Sequence, residues 1–214
     1  MTAAVPVVVL AAGLGGAAGV GIRLLLGRLR RGVVLRRGVA ELAAAFVTGI
    51  GAGVAWGDAT LALVLLTGLL LVALGAVDIV HHRLPDAITL TALPLAAVAV
   101  ALTALLTPGS GSSVSAIVAA AVLWAVFNAI ARVSPRSMGR GDVKLMPTLG
   151  LLMGYVSPVA VLAGLLVAFG AGSVVALIGL ATRKLRLASA IPLGPYLLFG
   201  CWVVLLFPAA FPSR

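Results

Sequence analysis

The chain reads as an all-α protein, a polytopic bundle of transmembrane helices, and three observations predict it. Hydrophobic residues fill 63% of the 214 positions and charged residues only 9%. The mean hydropathy is +1.27, which leaves no stretch polar enough for a separate soluble domain. Apolar runs long enough for a helix to cross a hydrocarbon core of about 30 Å follow one another through almost the whole sequence.

Charges and turn residues divide these runs into helices expected near 3–22, 39–56, 60–80, 88–106, 114–131, 143–155, 157–181 and 191–210. The first has no basic residue ahead of it, Arg23 following the apolar run, so it reads as a retained span and not a cleaved signal peptide. An arginine-rich loop over 23–38 separates it from the second. The second and third meet at a tight turn containing Gly57 and Asp58. Beyond the third, His81, His82 and Arg83 lead to Pro85, which ends the helix or forms its linking turn, and Asp86 is placed to cap the fourth. Arg132 and Arg136 close the fifth. The sixth, at about 13 residues, is short for a full crossing; a re-entrant or partly buried helix is the alternative reading. Arg183, Lys184 and Arg186 end the seventh, and a segment with Pro192, Gly194 and Pro195 bends or unwinds the start of the eighth.

With these eight segments, fourteen of the fifteen basic residues fall on one side of the membrane and only Arg214 on the other. The excess of basic residues makes that side cytoplasmic and puts both termini outside. Omitting the short sixth helix would move Arg183, Lys184 and Arg186 to the wrong face. The net charge of +10 is then a matter of orientation, and no nucleic-acid partner is read from it. Residues 1–214 are taken as one integral-membrane unit, and nothing in them sets an oligomeric state.

Only five acids occur in the chain, and two of them, Asp78 and Asp142, stand at the ends of long apolar runs. Both fall at the cytoplasmic ends of their helices. A carboxylate in that setting is costly enough that its default reading is functional. Two carboxyl groups brought close share one proton and suit the activation of water for peptide hydrolysis. The ionised member takes a proton from water while the protonated one polarises the carbonyl, so no metal or other cofactor is required. Gly139 and Gly141, flanking Arg140 just before Asp142, allow close backbone approach. Asp142 then stands at a helix start, where the dipole favours an anion. Lys144 is placed to meet a lipid phosphate or to complete the cytoplasmic rim. An Asp after Gly is also an ordinary helix cap, so this tetrapeptide alone is a weak pointer.

Three stretches in order strengthen it: Asp78 to Thr89 (DIVHHRLPDAIT), Met138 to Leu145 (MGRGDVKL) and Ile191 to Leu197 (IPLGPYL). Together they resemble the type IV prepilin peptidases, intramembrane aspartyl proteases with a G-x-G-D motif, over about residues 39–200. The resemblance implies that Asp78 and Asp142 are the catalytic pair, with Leu84, Pro85, Gly139, Gly141, Lys144, Gly194 and Pro195 as supporting motif residues. Glu41 matches a family glutamate at the start of the second helix. The implied activity is removal of a basic leader from prepilin-like precursors at the cytoplasmic face of the bacterial cytoplasmic membrane, the precursor's apolar segment lying in lipid against the helices. Larger members carry a cysteine-motif insertion after the first helix and methylate the product with S-adenosylmethionine. Here the loop is short and Cys201 is the sole cysteine, so no zinc site is expected and methyl transfer is in doubt.

The competing reading is a non-catalytic module or transporter in which Asp78 and Asp142 bind a proton or cation. Such carboxylates are expected near mid-membrane and among inverted repeats. Both aspartates lie at one face, and no repeat is visible.

Overall fold

The computed structural model describes residues 4–29, 32–81, 84–134, 138–184 and 192–211. Among them the fold is helical throughout, with eight α-helices: α1 (Ala4–Arg28), α2 (Val39–Ala55), α3 (Leu61–His81), α4 (Asp86–Leu106), α5 (Ser113–Val133), α6 (Arg140–Val156), α7 (Pro158–Ala181) and α8 (Gly194–Leu206). Five of these, α1, α3, α4, α5 and α7, are long and apolar enough to cross a membrane, while α2 and α8 are shorter apolar helices. Large apolar side chains such as Leu10, Phe46, Leu90, Leu102 and Leu162 stand on the outer surface of the bundle. That is the surface a hydrocarbon solvent allows.

Several boundaries differ from the sequence expectation. α1 continues past residue 22 to Arg28, so Arg23 and Arg28 lie on the helix and not in a loop. The Arg23 Nε–H donates to Glu41 Oε1 at 2.7 Å, and this partner on α2 lets a charged residue stay helical. The other Glu41 oxygen accepts from the Gly38 amide at 2.9 Å. Gly38 itself adopts φ 90°, a left-handed conformation that favours glycine. α4 begins at Asp86, with Pro85 as its N-cap residue, so Asp86 is the first helical residue and not the cap. α6 begins at Arg140, which places Asp142 inside its first turn. α8 is shorter than 191–210; it starts at Gly194 and gives way to a single 3-10 turn, Pro208–Ala210. Arg30, Arg31, His82, Arg83, Arg136, Arg186, Ile191 and Arg214 lie outside the described residues.

The short α6 is the centre of the bundle, packing on α4, α5, α7 and α8. Thirteen of its seventeen residues are buried, which explains how a helix of low hydropathy fits: its environment is protein and not lipid. At 1.5 Å per residue it spans about 25 Å. It runs from the Asp142 end of the bundle to the opposite end, where the Ser112 amide donates to the Tyr155 carbonyl at 2.9 Å. Close approach to α5 depends on Gly150 and Gly154. A Cβ on Gly150 would lie 2.6 Å from the Ala119 carbonyl oxygen, and one on Gly154 2.9 Å from that of Ser115. These are small-residue contacts of the kind that drive helix association in lipid.

Gly150→Val should accordingly lower stability by about 1–3 kcal/mol through overpacking. Gly13→Ala should be neutral, because a Cβ there meets nothing within 4 Å. Thermal unfolding of the two variants in detergent measures the difference. The Thr148 hydroxyl on α6 is buried without a partner among the described residues.

Candidate active site

Four helix ends converge on one end of the bundle. α3 terminates there at His81, α4 starts at Asp86, α6 at Arg140 and α8 at Gly194. The connection after α1 joins them, since His81 Nε2 lies 3.2 Å from the Gly32 carbonyl oxygen. His81 therefore turns toward that connection, and no bond to Asp78 is needed to explain its position.

Asp78 and Asp142 both stand at this end. Asp78 is 4% exposed and Asp142 9%, and Asp142 lies in the electrostatic field of Asp78. The two are supported differently. Asp78 Oδ2 accepts from the Gly194 amide at 3.0 Å. Gly194 is the first residue of α8, so Asp78 takes one of the amides that a helix start leaves without an internal partner. Asp142 is held at the start of its own helix, with Oδ2 beside Gly139: a Cβ on that glycine would lie 2.9 Å from this oxygen. Its other oxygen, Oδ1, is buried and makes no hydrogen bond among the described residues. An uncompensated buried carboxylate oxygen is unusual and marks a place where water or a substrate group can bind.

Leu84 is buried and fills the space between the two supports. A Cβ on Gly141 would come within 2.8 Å of Leu84 Cβ, and one on Gly194 would be 2.9 Å from Asp78 Oδ2 and 3.2 Å from Leu84 Cδ2. At 141 the obstacle is the Cβ and backbone of Leu84, so glycine is required there for steric reasons; at 194 a methyl would instead displace the ends of the Asp78 and Leu84 side chains. Pro195 packs toward α3, where a Cβ on Gly75 would be 3.9 Å from its ring. Lys144 does not stand free for a lipid phosphate. Its ammonium donates to Asp86 Oδ1 at 2.7 Å in an exposed ion pair at the rim.

The structure therefore gathers Asp78, Asp142, Gly139, Gly141, Leu84, Gly194 and Pro195 in one place, with Pro85, Asp86 and Lys144 on its edge. Glu41 is not among them, being engaged with Arg23 and Gly38. Sequence reasoning missed the Gly194 amide as the donor to Asp78, and Gly75 opposite Pro195. A small residue one turn before the aspartate was the available pointer to Gly75.

A cavity of about 300 Å³ beside the α1–α2 connection is lined by Arg23, Leu24, Gly27, Arg28, Val34 and Leu35. Its lining is these two arginines with apolar residues and one glycine, and no methyl-transfer step is routed through it. Among the described residues no three His, Cys, Asp or Glu side chains are grouped to hold a metal ion.

Residues 64–180 match the profile of the type IV leader peptidase family. The chain is 33% identical over 172 residues to a prepilin leader peptidase/N-methyltransferase of Stutzerimonas stutzeri, covering 78% of this chain and 57% of that protein. The protein of the same description from Pseudomonas aeruginosa gives the same identity and coverage. That of Xanthomonas campestris pv. campestris is 32% identical over 137 residues, covering 63% of this chain and 46% of its own length. The chain spans about half the length of these curated relatives. No solved structure matches it.

Proposed function

Since the chain belongs to the type IV leader peptidase family, we propose that it is an intramembrane aspartic endopeptidase cleaving the leader of prepilin-like precursors, with Asp78 and Asp142 as the catalytic pair. The observation that carries this reading is the placing of two buried carboxylates at one end of the bundle, within electrostatic reach of each other, one of which presents an oxygen with no hydrogen-bond partner among the described residues. The substrate class rests on the names of the relatives.

The chemistry needs one carboxyl group ionised and one protonated. The ionised group takes a proton from a water, whose oxygen adds to the scissile carbonyl carbon. The protonated group donates to the carbonyl oxygen as charge builds there. When the tetrahedral adduct collapses the carbon–nitrogen bond breaks, the leaving nitrogen takes a proton from the pair, and the products are a carboxylic acid and a free amine. The two groups titrate as a unit, so neither is assigned a separate role. The Gly194 amide keeps Asp78 oriented, and the glycines at 139 and 141 leave room for a substrate backbone beside Asp142.

The fold is that of an integral membrane protein, consistent with five helices long and apolar enough to cross a bilayer. In the proposed orientation the site lies at the cytoplasmic face of the bacterial cytoplasmic membrane, because the basic residues lie on that side. The precursor's apolar segment then rests in lipid and presents its leader junction to the aspartates. The unit acts as one peptidase domain over 1–214. A proton- or cation-carrying role is less favoured, since both carboxylates stand at one end of the bundle and not midway along it.

The test is incubation of the purified protein, in detergent or liposomes, with a prepilin-like precursor and mapping of the new N-terminus by mass spectrometry. A single cut at the leader junction supports the reading, and no cut with several leader types removes it. An unmethylated product is expected. Because both proton transfers are assigned to carboxyl groups, chelators should leave the rate unchanged; inhibition reversed by added zinc would overturn that assignment.

A further inference from the structure

α3 and α6, the helices that carry the two aspartates, make little direct contact, and both pack instead on α4 and α8. Their separation is therefore set by α4 and α8 and, at the site end, by the side chain that stands between them. Leu84 stands there. It touches Gly141, the residue before Asp142, and Gly194, the residue whose amide holds Asp78. Two residues on, Asp86 is tied to Lys144, which is two residues beyond Asp142. Between them Pro85 holds an extended backbone at φ −71°, within the narrow range its ring permits, and accepts the Thr89 hydroxyl at its carbonyl. A stiff three-residue segment is thus fixed to α6 at one end by an ion pair and to both carboxylate supports by an apolar side chain.

We infer that Leu84, Pro85 and Asp86 form a positioning strap that sets the spacing of the Asp78–Asp142 pair, with Leu84 as the spacer and Asp86–Lys144 as the fastening. None of the three enters the chemistry. The inference builds on the peptidase reading above, and its spacing arm can be tested without any cleavage. A spacer acts on the geometry of the reacting groups, so its loss falls on turnover more than on substrate binding; a misplacement of about 1 Å can cost about 10²-fold.

Two measurements decide it. In the full chain, Asp78→Cys and Asp142→Cys are introduced together and bridged with a short bifunctional thiol reagent, Cys201 being fully buried. The bridging yield should fall several-fold when Leu84→Ala or Lys144→Met is added and return with Leu84→Met. An unchanged yield in the Leu84→Ala background overturns the strap. With the aspartates intact, Leu84→Ala should lower kcat by about 10²-fold while KM stays within about twofold, and Leu84→Met should recover most of the rate. A raised KM with kcat unchanged would overturn positioning. Lack of cleavage by the parent chain would remove the peptidase reading and leave the bridging yields to decide the strap.

Discussion

Asp78→Asn and Asp142→Asn should each abolish cleavage, lowering kcat by at least about 10³-fold while leaving the protein folded and inserted. An amide has nearly the shape of a carboxylate but cannot take up the water proton, so the loss measures the chemistry and not the packing. For Asp142 the argument is direct, since one of its oxygens makes no hydrogen bond among the described residues whose loss would unsettle the fold. For Asp78, Asn keeps an oxygen able to accept from the Gly194 amide. Both variants should therefore elute and melt like the parent in detergent. Near-normal cleavage by either one would remove the dyad.

Gly194→Ala carries the second large effect. The added methyl would lie 2.9 Å from Asp78 Oδ2 and 3.2 Å from Leu84 Cδ2, inside ordinary contact distance for both. The carboxylate must shift, and its 3.0 Å bond from the amide is distorted. A fall in kcat of about 10²-fold is expected, because a small displacement of a reacting group is costly. Gly170→Ala on α7 is the control, as a methyl there meets nothing within 4 Å, and its rate should match the parent. Equal rates for the two variants would mean that the α8 start does not hold Asp78.

What the sequence revealed follows from how each interaction is encoded. The apolar runs announce their helices because a hydrocarbon solvent demands them. In the sequence α1 looks shorter than it is, because Arg23 and Arg28 resemble the end of a span; the partner that compensates Arg23, Glu41, is 18 residues away on another helix. α6 was legible as a crossing only through charge placement, since its low hydropathy suits a helix surrounded by protein. Asp78 and Asp142 stood out because a chain with five acids places very few by accident. The donor to Asp78 could not be read in the same way: a backbone amide has no letter of its own, and the Pro-Leu-Gly-Pro segment showed only that the α8 start is irregular. Lys144 and Asp86 lie 58 residues apart, and their pairing exists only once α4 and α6 are packed.

The burial of Cys201 gives the molecule a silent thiol background. Aqueous maleimides have no access to it in the folded bundle, so a cysteine placed by substitution at Arg36, on the site end, or at Asp58, on the opposite end, reports its own side of the membrane alone. Sidedness thus becomes a labelling question for intact cells, answerable without first removing a native residue from the core.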